Sequence, residues 1–377
     1  MLFPLRKLRV LSLAPWLPGL YCTMLLADLG ADVILIEHPS GKERAERPPG
    51  YLSIVNRNKR SLTLDLKLAK GKEIFTKLVT KSDVFIEGLR PGTVNQMGIG
   101  YKDLKKVNPS LIFCSITGYG QESPYKNRPA HNNTYVGMAG MVQTFPNDPI
   151  AYNPHVSIAD LAAAMFAGLS IIAALRIKDR EGKGQFIEVP IVDCAVSWMS
   201  QELGTFYNTG QGRPEAPASG FYKTSNEKYL SLSVGASDKL WRNLCKTIGL
   251  INLSEMNHWE REKKFEEIET TLREMISKRT SDEWLKLLVE SDVPCGPVLT
   301  LNGLITDPHI KYRNLIVEVE GKKGHKEKQV AYPVKFSGEQ MTIKNIAPNL
   351  GENSEEILED LGYTKNELKI LMEEKVI

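Results

Sequence analysis

The chain has 377 residues, 42% hydrophobic and 25% charged, an ordinary globular composition with room for two domains or one large α/β domain with a smaller insert. Its 48 basic and 45 acidic residues leave a formal charge of +3, too little to argue for nucleic acid, and no single-sign tract points there. Five scattered cysteines (Cys22, Cys114, Cys194, Cys245, Cys295) form no C-x-x-C and no metal spacing with histidine, so they read as buried free thiols in a reducing cytosol.

Arg6, Lys7 and Arg9 precede VLSLAPWLPGLYCTMLLA, which superficially resembles a signal peptide, but Pro15, Trp16 and Pro18 break the run and it leads into a strand. No uninterrupted apolar segment approaches the roughly 20 residues of a membrane span, so no membrane is expected. Leu8 to Ala14 is a short strand. Leu17 to Gly30 is a helix opened near Pro18 and closed by Gly30. Ala31 to Pro39 is a second buried strand, too apolar to alternate. Strand, helix and strand predict a parallel, doubly wound sheet. Glu37 stands where a dinucleotide fold places its ribose acid, yet APWLPG lacks G-x-G-x-x-G, which argues against nicotinamide or flavin.

Asn56 to Lys67 carries three cations (Arg57, Lys59, Arg60) and then an alternating strand; the cations suit either phosphates or a solvated turn. A helix over 70–80, a strand in SDVFIEGL and another over 110–120 continue the α/β pattern. The long alanine-rich helix from Asp160 to Arg180 suits close packing. A Gly/Pro-rich link over 208–220 marks a boundary. This gives residues 1–207 as the first part of a large Rossmann-like domain, 221–314 as a small α+β domain, and 315–377 as the completion of the large one. Met138, Met141, Met165 and Met199 are candidates for an adaptable acyl pocket, or simply helix core.

Two polar groups stand out. His131 opens AHNNTYVGMAGM, where the Asn132-Asn133 pair suits capping of free N–H groups. Asp160 opens a run of small apolar residues. Each has a plain alternative: a core or surface histidine, and an aspartate that complements a helix dipole.

Nine segments in order resemble the family III CoA-transferases (CaiB/BaiF), which include formyl-CoA transferase and α-methylacyl-CoA racemase. They are LLADLGADVILIEHP, NRNKRSLTLDLK, RPGTVNQMGIGY, NPSLIFCSITGYG, the 131–140 segment, ADLAAAMFAG, GKGQFIEV, VPCGPVLTL and NLGENSEEILEDLGY. The resemblance implies a Rossmann-like large domain with a parallel sheet, a smaller domain, and an interlocked homodimer. It implies coenzyme A thioester as substrate and no permanently bound cofactor. The positions matching the family's CoA contacts are His38, Leu64, Asp65, Leu66, Lys67, Gly88, Leu89, Arg90, and Ala130 with Asn132, Asn133, Thr134 and Tyr135. Position 38 is commonly arginine in relatives, and a neutral imidazole lacks that fork and charge.

The resemblance also implies two chemistries. Racemases pair the equivalents of His131 and Asp160 to move a proton α to the thioester. Transferases use the equivalent of Asp160 as a covalent nucleophile. His131 and APWLPGLYC favour epimerisation of a 2-methylacyl-CoA, the first expectation. AHNNTY in place of G-H-D-x-N-Y, Asp238 where racemases carry a glutamate supporting the histidine, and VPCGPVLTL favour transfer between two acids. The remaining alternative is an inactive CoA-binding subunit serving a homologous partner.

Overall fold

A computed structural model describes residues 3–48, 50–142, 156–212, 216–321, 324–337 and 339–377. The chain divides into two compact units, Met1–Ser200 with Arg313–Ile377, and Gln201–Tyr312.

The first unit is built on strands β1 (Arg9–Leu13), β2 (Asp32–Glu37), β3 (Lys59–Thr63), β4 (Val84–Glu87), β5 (Ile112–Thr117) and β6 (Phe186–Pro190). They form one sheet in the order β3-β2-β1-β4-β5-β6, and every neighbouring pair is parallel. Between them lie α1 (Leu17–Asp28), α2 (Lys42–Ala45), α3 (Tyr51–Val55), α4 (Ala69–Thr80), α5 (Thr93–Gln96), α6 (Tyr101–Val107), α7 (Asn132–Met138) and α8 (Ile158–Glu181). After β6 comes α9 (Ile191–Trp198). Helices cover both faces, which is why β4 and β5 are buried at every residue and read as continuous apolar runs rather than alternating ones. On one face Phe75, Phe85 and Phe113 meet edge to face, 5.1 Å between successive ring centroids. On the other, α8 turns Ala159, Ala162, Ala163, Ala164, Ala167, Ile171 and Ala174 inward against α1, α9 and β5. Methyl side chains let these backbones approach closely, and alanine costs no rotamer entropy in the helix. By length and composition α8 would also suffice to cross a membrane, a 24-residue apolar helix where no such run was expected; its alanines lie in the core of this unit.

The sheet order reverses between β1 and β4. Chain leaving β1 and chain leaving β4 therefore part at their carboxyl ends and open a crevice there, the position where open α/β sheets bind ligands. Glycine makes the corner possible. A Cβ on Gly19 would lie 2.2 Å from the Ala14 methyl carbon, and one on Gly88 3.2 Å from it.

The expected alternation in β3 is absent; all but Arg60 of its residues are buried. The reason is the returning segment. After the antiparallel pair β10 (Ile316–Glu320) and β11 (Lys326–Val330), the chain reaches two last helices, Ser354–Asp360 and Lys365–Glu373. Asn353 Oδ1 accepts the Ser61 N–H at 3.0 Å and Ser354 Oγ the Thr63 N–H at 3.1 Å, so side chains rather than another strand seal the sheet edge. Just beyond β3, the Asp65 N–H donates to the Val376 carbonyl at 2.8 Å.

The cations at and just before the start of β3 serve neither expected purpose. Arg57 is buried and grips Asp28 of α1, with Nη2 2.7 Å from Oδ2. The buried Lys59 ammonium donates to Leu20 O, Thr23 Oγ1 and Asn56 Oδ1 within 3.1 Å. Arg60 pairs with Asp32 at 2.6 Å. Arg57 and Lys59 tie α1 to the sheet, and Arg60 ties β3 to β2. Glu37, the residue in the ribose-acid position, is likewise occupied, holding Arg44 through both carboxylate oxygens at 2.6 and 2.7 Å.

The second unit opens with α10 (Ser200–Thr209), followed by β7 (Ser219–Lys223), β8 (Tyr229–Ser233) and, later, β9 (Cys295–Pro297), an antiparallel sheet in the order β7-β8-β9. Helices α11 (Asp238–Ile248), α12 (His258–Lys263), α13 (Phe265–Ile276) and α14 (Ser281–Glu290) accompany it. Tyr222, Trp241, Leu272 and Trp284 dominate its core. All five cysteines are free; Cys295 alone is partly exposed.

Candidate active site

A cavity of about 600 Å³ occupies the crevice at the switch point. Its walls come from the turn after β1 (Ala14, Pro15, Trp16), the turn after β4 (Gly88, Leu89, Arg90), the end of β5 with Tyr119, and the start of α7 (His131, Asn132, Tyr135), with Asp160 from the first turn of α8. Sequence-distant residues meet here because the sheet order reverses.

Asp160 is the third residue of α8. The helix N-terminus favours its anion, but burial opposes it and prevails, pushing the carboxyl up from 3.8 to about 6. Among the described residues no hydrogen bond or ion pair reaches that carboxylate. Burial first, then the Asp160 charge, pushes the neighbouring Tyr135 hydroxyl up to about 12. Tyr135 is buried and donates to Ala130 O at 3.2 Å, which fixes the approach to α7.

His131 is the N-cap residue of α7 and makes no side-chain capping bond. Its exposed ring stands edge-on to Trp16, 5.4 Å between centroids. The Asn132-Asn133 pair does not cap α7 either. Asn132 Oδ1 instead accepts the Ala159 N–H at 3.0 Å, capping α8 from outside. One side chain thus joins the segment carrying His131 to the turn carrying Asp160. Asn153, Pro154 and His155, between them in sequence, lie outside the described residues.

The positions matched to CoA contacts fall into two groups. Gly88, Leu89, Arg90, Ala130, Asn132 and Tyr135 line the cavity. Glu87, buried at the end of β4, holds the first of these turns by accepting the Leu89 N–H at 2.9 Å and the Ser115 hydroxyl. Asn133 and Thr134 are exposed on α7 outside the lining. His38, Leu64, Asp65, Leu66 and Lys67 sit together past the carboxyl ends of β2 and β3. His38 Nε2 lies 3.6 Å from Asp65 Oδ2, and the Lys67 N–H donates to Asp65 Oδ1 at 2.8 Å. Leu64 and Leu66 are buried, so only their backbone is available to a ligand. Asp238, in the second unit, is bound by the buried Arg261, Nη1 to Oδ1 2.6 Å. None of the four methionines lines the cavity; Met138 and Met165 are exposed and Met141 packs on the core.

Trp16, Arg47 and Tyr51 also line the cavity, and nothing in their spacing singled them out. The chemistry available is that of a desolvated carboxylate, unpartnered among the described residues, that shares one cavity with an imidazole, with aromatic side chains and with the cations Arg47, Arg90, Lys126 and Arg128.

The family model described as CoA-transferase family III matches residues 5–354. A succinyl-CoA–D-citramalate CoA-transferase of Chloroflexus aurantiacus is 28% identical, over 99% of this chain and 98% of that one. A succinyl-CoA:glutarate CoA-transferase of Mus musculus is 30% identical, over 98% and 89%. The crystal structure of a CaiB/BaiF family protein from Brucella suis superposes with a TM-score of 0.84 at 27% identity, covering 96% of this chain and all of that one.

Proposed function

This chain belongs to CoA-transferase family III, and from that premise we propose that it moves coenzyme A from an acyl-CoA thioester to a free carboxylic acid, with Asp160 as covalent nucleophile. The relatives carry transferase names, which favours this reading over the epimerisation expected first. The observation that carries it is the state of Asp160. A carboxyl near 6 is mostly ionised at neutral pH, and an anion that meets no hydrogen-bond donor among the described residues keeps its lone pairs free for attack.

The steps balance without an external acid or base. An Asp160 carboxylate oxygen attacks the thioester carbonyl carbon; the C–S bond breaks and CoA thiolate leaves a mixed anhydride on Asp160. The thiolate attacks the aspartyl carbonyl, releasing the first acid as its carboxylate and leaving an aspartyl-CoA thioester. The acceptor carboxylate attacks that thioester, CoA thiolate leaves again, and it then attacks the acceptor's acyl carbon. Product acyl-CoA departs and the Asp160 carboxylate is restored. Thiolate is a good leaving group throughout, so the protein's work is positioning and electrostatics.

In this reading the Gly88–Arg90 turn and the Ala130–Tyr135 segment hold the CoA arm, while His38, Asp65 and Lys67 meet its far end. The assembly is a homodimer, or a pair with a homologous chain. Asp238, held by Arg261, takes no part in the steps.

Epimerisation remains the second reading because His131 and Asp160 line one cavity, as two-group proton transfer requires. Rapid quench of the protein with succinyl-CoA, followed by peptide mass spectrometry, tests the first: CoA should be found on the Asp160 peptide, and on addition of glutarate it should move to the acid. No adduct and no transfer, with deuterium entering the α-carbon of a 2-methylacyl-CoA in heavy water, would establish the second.

A further inference from the structure

We infer that Arg47 forms a subsite for the distal carboxylate of a dicarboxylic acyl group, making dicarboxylic acids the preferred cargo; this rests on the transferase reading. Arg47 follows α2 and lines the same cavity as Asp160. Its guanidinium lies over the Trp16 ring, 4.0 Å from the centroid, and 5.9 Å from the Tyr51 centroid. Nη2 donates to Pro15 O at 2.7 Å. The aromatic platform and that bond fix the plane of the fork. Among the described residues no carboxylate pairs with it, and its remaining N–H groups are uncommitted.

Position distinguishes Arg47 from the other cations of the cavity. Arg90, Lys126 and Arg128 are exposed, as suits phosphates that stay largely hydrated, whereas Arg47 is partly buried. It belongs to the reacting end. The ring of Trp16 beneath it meets the His131 ring. Tyr51 lies within electrostatic reach of both Arg47 and Asp160. Among the described residues the cavity carries, besides Asp160, one carboxylate, the exposed Glu43, against these four cations, so its balance favours an anionic acyl group. A guanidinium held flat with free N–H groups matches a second carboxylate in bidentate fashion.

Succinyl-CoA and butyryl-CoA isolate this contact, because they share every CoA atom and differ in a carboxylate replaced by a methyl group. With acetate as acceptor, kcat/KM should favour succinyl-CoA in the unaltered protein. Arg47→Met should cut the succinyl-CoA value roughly 10- to 100-fold, the loss typical of one charge-assisted contact, and leave butyryl-CoA within about twofold. Arg47→Lys should restore part of the preference, keeping charge without the fork. Equal loss with both thioesters would make Arg47 a phosphate contact, and an unchanged ratio would remove it from the site; either overturns the inference. Transfer from neither thioester, whether to acetate or to the dicarboxylic acceptor glutarate, would sink the transferase reading itself. Calorimetric titration of succinate and butyrate into the CoA-loaded protein then still decides Arg47: the proposal requires that succinate bind more tightly and that Arg47→Met abolish the difference.

Discussion

Asp28 and Asp160 are both drawn back from water on helices of the same unit, and their surroundings are opposite. Asp28 receives Arg57 through two nitrogens and Asn58 Nδ2 at 2.9 Å, and Lys59 nearby is committed to three acceptors. Asp160 has no partner among the described residues although cations line the same cavity. In the first region Asp28 and Arg57 match each other's charge, so removing one strands the other. In the second the charge is left unmatched, a cost to the fold that a reaction can use.

Substitution at Asp160 divides the two regions most sharply. Asp160→Asn should lower transfer at least ~10⁴-fold by steady-state thioester assay, as expected for loss of a covalent nucleophile. Its effect on stability has the opposite sign. A carboxyl raised from 3.8 to about 6 favours the folded state at low pH and loses that contribution as pH rises through about 6. At pH 7.5 the amide variant should therefore be at least as stable, by up to ~3 kcal/mol. A clear drop in thermal midpoint would remove the contrast.

Asp28→Ala should do the reverse, costing about 3–5 kcal/mol in urea unfolding because Arg57 is left buried and uncompensated. Activity per folded molecule should persist. Below pH 6, kcat/KM for transfer should fall about tenfold per pH unit as Asp160 takes up a proton; a flat profile there would mean that the anion is not the reacting form. Asn132→Ala removes the cap on α8 and should cost about 1 kcal/mol with a several-fold loss of rate. His131→Gln should change transfer by no more than a few-fold while abolishing any α-proton exchange. Collapse of transfer in this variant would put His131 in the reaction.

The middle of the sheet was legible because its strands are buried on both faces: runs such as Ile112–Thr117 leave no competing period. His131 and Asp160 stood out singly as polar groups at the heads of apolar runs, but their pairing was legible only through resemblance, since nothing in local spacing brings residue 131 to residue 160. The cations at 57–60 misled because sequence records charge density but not partners, and Asp28 lies 29 residues away from Arg57. Arg47, Trp16 and Tyr51 escaped for a related reason. Their shared wall exists only once the chain after β1 folds back on the switch point. Asn132 was read as capping its own helix because capping patterns are local, and here the cap crosses to another helix.

The seal on β3 has a consequence for synthesis. Ser354, which accepts the Thr63 N–H, lies 291 residues further along the chain, and Val376, which accepts the Asp65 N–H, later still. A growing polypeptide therefore carries β3 as an open edge, with the adjoining 64–67 loop untethered, while the whole second unit is being made. Closing so long a loop is slow, and an unpaired strand edge can meanwhile recruit another chain. Chaperone demand during translation should thus track the delay before residues 353–376 emerge, and supplying them in trans as a separate peptide should lessen it.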